Sequence, residues 1–325
     1  MSPEHRYERH KIAVEQYLRK FISEQKPRSL YIPARYVLAA GGKRIRPVLT
    51  LLACEAVGGN SADALFAAAG IEILHNFTLV HDDIMDHANT RRGRLTVHEK
   101  WDENVALLAG DVLLAFAYRS LLKTKSSRAQ EINRVFTEAI ITICEGQSLD
   151  KEFESRHRVH VNEYLFMIEK KTGKLVSAAA QVGALVGNAS SAHLEVLRRY
   201  GEYVGRAFQI QDDLLDIVAD DKKFGKTLGG DLVEGKKTFL LLEAMRRAKG
   251  EQKKILQRVF TNNGVSRKEV PIFRQIYEDK GAIESAKHRI EVDITDAKNQ
   301  LSMLSPSPAR ETLAWLADKL LHRTY

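Results

Sequence analysis

Ala67-Ala68-Ala69-Gly70-Ile71-Glu72-Ile73-Leu74-His75-Asn76-Phe77-Thr78-Leu79-Val80-His81-Asp82-Asp83-Ile84-Met85-Asp86 is a long, mostly apolar run that ends in three carboxylates. Its composition reads as a buried helix. At about 3.6 residues per turn, His75, Leu79, Asp82 and Asp86 fall on one stripe, with Asp82 and Asp86 one above the other. Like charges at that spacing repel unless a cation sits between them. Mg2+ meets that need with one or two carboxylates, its own waters and substrate phosphates. Asp83 is a further candidate ligand. Directly downstream, His87-Ala88-Asn89-Thr90-Arg91-Arg92-Gly93 supplies two guanidinium forks suited to phosphate oxygens. A solvated acidic helix end accounts for most isolated motifs of this kind, so this stretch alone leaves both readings open.

A second copy shifts the balance. Gly205-Arg206-Ala207-Phe208-Gln209-Ile210-Gln211-Asp212-Asp213-Leu214-Leu215-Asp216 again ends a helical pattern in Asp-Asp-x-x-Asp. A stretch rich in lysine and glycine follows, Asp220 to Asp231, with the composition of a lid. If the two helix ends face one another across a cavity, Asp82, Asp86, Asp212 and Asp216 could hold several Mg2+ ions around one diphosphate, neutralising the leaving group as Lewis acids.

Around these motifs the chain reads as all-α. It has only seven prolines, long 3.6-residue patterns and no run of alternating β-branched residues. Residues 8–25 and 28–40 are expected as two opening helices. Pro47 falls in the first turn of the next, where proline is tolerated, and that helix ends near Val57. Asn60 or Ser61 is the expected cap of the helix that carries the first aspartate motif. A loop over 87–96 precedes a helix from Trp101 to Leu122, apolar nearly all round and so buried or at a subunit interface. Long helices are expected over 130–150, 162–186 and 192–218, and shorter ones over 232–247, 252–260, 267–279, 283–303 and up to Leu321. No linker long enough to split domains appears, so residues 1–325 are expected as one domain.

The formal charge of +8 invites a nucleic-acid partner. Lysines and arginines are scattered, however, with no run of five or six and no interleaved stacking aromatics, which favours small anionic ligands. No run of eighteen apolar residues suggests a membrane span, and the charged N-terminus lacks a signal-peptide core. Cys54 and Cys144 lie in apolar helical patterns without metal or disulfide spacing, as expected of buried thiols. A cytoplasmic protein that neither binds nucleic acid nor inserts in a membrane is the expectation.

Four features in order, Gly41-Gly42-Lys43-Arg44-Ile45-Arg46-Pro47, the first aspartate motif with Arg91-Arg92-Gly93, Lys171-Thr172-Gly173, and the second aspartate motif with Gly225-Lys226, resemble the trans-type isoprenyl diphosphate synthases of the polyprenyl synthetase family. The likeness runs from about residue 38 to 238, with a helical tail over 239–325. It implies a single-domain helical bundle around a central cavity, most like the short-chain geranylgeranyl and farnesyl diphosphate synthases. It implies three Mg2+ ions per site and a homodimer. The substrates would be isopentenyl diphosphate and an allylic diphosphate. Gly42, Lys43 and Arg46 would form a metal-free isopentenyl diphosphate site, since glycines let backbone N–H groups approach an anion; His75 and Arg92 match its other ligands. Arg91, Lys171, Lys226 and Lys236 match ligands of the allylic diphosphate, although Lys237 beside Lys236 leaves that choice open. Thr172 and Gln209 match residues whose oxygens face the allylic cation; helix capping and a buried amide are their plainer readings.

Product length comes from the resemblance alone. A bulky residue four or five positions before the first aspartate forms a floor in this family, and here those positions are Thr78 and Phe77. The pattern looks like the C20 type, with C15 and longer products open. A helical wheel puts Phe77 roughly 160° from the mean carboxylate direction, which does not support the floor. A terpene cyclase would not need the Gly41–Pro47 motif, and a non-catalytic regulatory subunit should lack one of the aspartate motifs.

Overall fold

In the computed structural model, residues 1–22, 26–219 and 228–321 are described. Their secondary structure is helical apart from one pair of two-residue strands, as the sequence pattern predicts. The chain folds into two compact units. One comprises Met1–Thr137, Ala178–Arg198 and Ser302–Leu313; the other Glu138–Ser177, Arg199–Leu301 and Ala314–Tyr325.

In the first unit, α1 (Pro3–Phe21), α2 (Arg28–Leu38), α3 (Ile45–Ala56) and α6 (Glu103–Leu121) gather around α4 (Leu65–Met85). Ala67, Ala68, Ala69, Ile71, Ile73 and Leu74 of α4 are fully buried. The helix can be apolar on several faces because neighbours cover several of them. Helix α1 starts earlier than expected, because Ser2 caps it, accepting from the His5 amide, and proline occupies the first turn. Asn60 and Ser61 do not cap α4. Asn60 Oδ1 instead accepts from the Ala62 amide at 3.0 Å in a preceding turn, and α4 follows Ala64.

The 87–96 segment contains a hairpin, β1 (Thr90–Arg91) with β2 (Arg94–Leu95). Its two turn residues, Arg92 and Gly93, both have positive φ, which suits the twist of a two-residue hairpin. The expected 101–122 helix is α5 (Val97–Lys100) followed by α6, with Asp102 capping α6 through the Val105 amide at 2.8 Å. Helix α6 has the length and hydropathy of a span, yet it packs on α2 and α4, and 44% of that stretch is buried.

In the second unit, helix Phe239–Arg247 packs on α8 (Val161–Ile168) and on helices Gly250–Thr261, Val270–Asp279 and Ala282–Leu301. Arg206 grips Asp293, which is fully buried, through two nitrogens at 2.5 and 2.8 Å. Such a pair is strongly destabilised by removal of one partner. Two expected helices are interrupted. A π-helical turn, Glu169–Gly173, separates α8 from α9 (Lys174–Val186), and residues 234–238 separate Gly230–Val233 from Phe239–Arg247. Cys54 is buried, but Cys144 is exposed, because its stretch of α7 (Ala129–Ser155) turns that face outward.

Candidate active-site residues

The first unit gathers basic groups around the Gly41-Gly42 turn. Arg44, in the left-handed conformation at the start of α3, is consumed by the fold. It donates to Glu15 and Glu72 at 2.6 Å each and to the Leu38 carbonyl at 3.0 Å. Burial alone would lower its pKa, but the two carboxylates hold it above the ordinary arginine value. Lys43 is exposed, and its carbonyl accepts from the Tyr7 hydroxyl. Arg46 Nη1 lies 3.3 Å from His75 Nε2. Burial first, then the charges of Arg46, Arg92, Arg91 and Arg44, push the His75 pKa well below its ordinary value. A neutral imidazole can accept from Arg46.

Arg92, at the hairpin turn, donates to the Gly41 carbonyl. A Cβ on Gly42 would meet its guanidinium carbon at 3.1 Å, and the Gly42 φ of +139° is itself one that side chains rarely adopt. Gly42, Arg46, His75 and Arg92 are therefore brought together.

Two turns along α4 from His75, Asp82 and Asp86 are half-buried, whereas Asp83 is buried and accepts from Arg91 Nε at 2.5 Å. Burial raises the Asp83 pKa against the opposing pull of Arg91. Phe77 lies on another face, its ring edge-on to His81 at 4.8 Å. His81 Nε2 is 3.4 Å from the Leu107 carbonyl of α6. Thr78 donates to the His75 carbonyl. Among the described residues no three histidine, cysteine or acidic side chains form a group able to hold a metal ion. The hard oxygen donors of Asp82 and Asp86 fit Mg2+, which completes its shell with water and phosphate.

In the second unit, a cavity of about 90 Å³ is lined by Asp150, Tyr164, Lys171, Thr172, Gln209, Asp213, Asp231, Lys236 and Lys237, among others. The π turn places Lys171 and Thr172 there, consistent with the frequent occurrence of such bulges at functional sites. Lys171 Nζ donates to Asp150 at 2.6 Å. Thr172 Oγ1 donates to Gln209 Oε1 at 2.8 Å, Gln209 Nε2 donates to Asp213 at 2.9 Å, and Tyr164 donates to the same carboxylate at 2.5 Å. Burial, then the nearby Asp231 charge, raises the Asp213 pKa even though Tyr164 and Gln209 oppose it.

Gly146 of α7 allows the π turn to pass close, since a Cβ there would meet the Lys171 amide nitrogen at 2.4 Å. Asp212 is half-buried. The Asp216 carboxylate accepts from the Gly230 and Asp231 amides at 3.2 Å each. Lys236 pairs with Glu234 at 2.8 Å, while Lys237 is buried and donates to the Glu154 carbonyl at 3.0 Å. Lys226 lies outside the described residues. Asp150, Tyr164 and Asp231 join the cavity through packing between residues distant in sequence, which a local pattern does not carry.

A family model described as polyprenyl synthetase matches residues 27–279. A short chain isoprenyl diphosphate synthase of Methanothermobacter thermautotrophicus is 41% identical, covering 95% of this chain and 94% of that protein. A geranylfarnesyl diphosphate synthase of Natronomonas pharaonis is 40% identical over 93% and 92%. A geranylgeranyl pyrophosphate synthetase of Pyrococcus horikoshii superposes with a TM-score of 0.93 at 37% identity, covering 98% and 99% of the two chains. The family match spans most of the chain and the likeness is nearly end to end, so this protein belongs to the polyprenyl synthetase family and is a trans-prenyltransferase.

Proposed function

We propose that the enzyme joins isopentenyl diphosphate head-to-tail to dimethylallyl, geranyl and farnesyl diphosphates in a Mg2+-dependent reaction, with geranylgeranyl diphosphate as the main product. The observation that carries this reading lies on α4. One end of its stripe offers Asp82 and Asp86, which need a cation to bind an anion, and two turns earlier neutral His75 sits among arginines that need none. One helix thus serves two diphosphates by opposite means.

The metal-free site holds isopentenyl diphosphate on Gly42, Lys43, Arg46, His75 and Arg92, so that this diphosphate stays attached. Asp82, Asp86 and Asp212, with Asp83 and Asp216 as further candidates, would hold Mg2+, three ions by family resemblance, and the metal would supply positive charge to offset that of the allylic diphosphate. Arg91, Lys171, Lys226 and Lys236 bind the same group, with Lys171 exchanging Asp150 for phosphate oxygens. The Thr172 hydroxyl proton points to Gln209, which leaves the hydroxyl lone pairs to face the allylic cation. Phe77 limits product length. The chain acts as one domain, in the cytoplasm, as a homodimer through the face of α6 that exposes Leu107 and Leu108.

A product assay tests the reading. Purified protein, Mg2+ and isopentenyl diphosphate are incubated with each allylic starter, and chain lengths are read by mass spectrometry. A discrete C20 product is expected. A C15 or C25 product would overturn the chain-length assignment, and no condensation with any starter would overturn the reaction.

A further inference from the structure

A cleft of about 550 Å³ opens in the first unit between α1 and α2, mostly on residues to which the proposed reaction gives no role, and reaches the turn that carries Gly42. Its size lies within the range of small-molecule sites. Leu18, Ile22 and Leu38 give it an apolar, buried floor. Lys11, Arg19 and Arg35 line it with positive charge, and the acidic residue on its wall, Glu15, is engaged by Arg44 at 2.6 Å. An apolar floor beside three cations selects a ligand with an anionic head and a hydrocarbon tail.

The cleft also ends on Gly41 and Gly42. That turn accepts a hydrogen bond from Arg92 and packs against its guanidinium. A second connection runs from Glu15 through Arg44 to Glu72, one turn before Asn76 on α4. Ligand in the cleft therefore bears directly on the groups assigned to isopentenyl diphosphate.

We infer that the α1–α2 cleft is a second, metal-independent site for a prenyl diphosphate, through which accumulated long-chain product weakens isopentenyl diphosphate binding. The head meets Lys11, Arg19 and Arg35, and the tail covers Leu18, Ile22 and Leu38. The ligand class rests on the proposed reaction, whereas the binding test below needs no turnover, so the two can fail separately.

Calorimetry in EDTA, which silences metal-dependent binding, uses geranylgeranyl diphosphate as the probe. The R19E/R35E protein is expected to bind it at least tenfold more weakly than wild type, with an unchanged circular-dichroism melt. Inorganic diphosphate, which lacks the tail, should bind wild type at least tenfold more weakly than the prenyl compound. At saturating allylic substrate, added geranylgeranyl diphosphate should raise the isopentenyl diphosphate KM of wild type but not of R19E/R35E. Equal affinity of the two proteins, or no binding to wild type, overturns the site. Equal affinity of wild type for the two ligands overturns the prenyl specificity, and an unresponsive wild-type KM overturns the regulation. Should R19E/R35E not fold, K11A/R19A is put through the same comparisons.

Discussion

Asp82 and Asp212 keep partly exposed carboxylates, whereas Asp83 and Asp213, which follow them, are buried and hydrogen-bonded within the fold. Successive helical residues differ by about 100°, so the second aspartate of each motif turns inward. There Asp83 meets Arg91, and Asp213 meets Tyr164 and Gln209. Both motifs thus divide their charge between an outward face and an internal anchor. The stripe of Asp82 and Asp86 was legible in the sequence, because it follows from helical period alone. The anchoring was not, because Arg91 reaches Asp83 only through the hairpin fold, and Tyr164 is distant in sequence. Asp82→Ala should cut turnover by about 10²-fold or more, the scale of losing several kcal/mol of charge stabilisation, with an unchanged thermal melt. Near-normal steady-state rates would remove Asp82 from the metal site.

At the scale of elements, the π turn at Glu169–Gly173 was invisible to a 3.6-residue pattern, because an extra residue in a helix changes neither composition nor hydropathy. Its position depends on how closely α7 passes, which Gly146 permits. Gly146→Ala should destabilise the fold by about 1–3 kcal/mol through overpacking, and it should lower turnover by shifting Lys171. Urea unfolding and a rate assay check the two effects, and a neutral substitution would mean that the turn is set elsewhere. Helix α4 was readable almost end to end from its apolar run. On it, Phe77 and the carboxylate stripe occupy different faces, as the wheel indicated, and Phe77 sits against His81. Phe77→Ala should lengthen the product, read by mass spectrometry; an unchanged product spectrum would discard Phe77 as the floor.

At the scale of the whole molecule, long-range ion pairs bind the N-terminal helix into its unit. Glu55 is contacted by Arg6 at 3.1 Å, His10 at 3.2 Å and Ser61 at 2.7 Å. Burial works to raise its pKa, but the close contact with His10, the hydrogen bond from Ser61 and the charge of Arg6 prevail and bring it down to about 2. A carboxylate depressed in the folded state contributes stability above its unfolded pKa and loses it as pH falls. The loss should therefore run from about pH 4.5 down to about pH 2. Glu55→Gln should flatten the pH dependence of unfolding free energy across that window, measured by urea titration; an unaltered slope would show that the pair contributes nothing. The sequence by itself determined that the chain is helical, that two acidic stripes end two of its helices, and that basic residues and glycines accompany them. Those properties follow from local period and residue chemistry. Only the tertiary structure decided which charges the fold itself consumes. Arg44 is taken by Glu15 and Glu72, and Lys237 by the Glu154 carbonyl, whereas Arg46 stands beside His75. Those pairings join residues far apart in the chain, and burial of a charge requires a partner that only folding brings near.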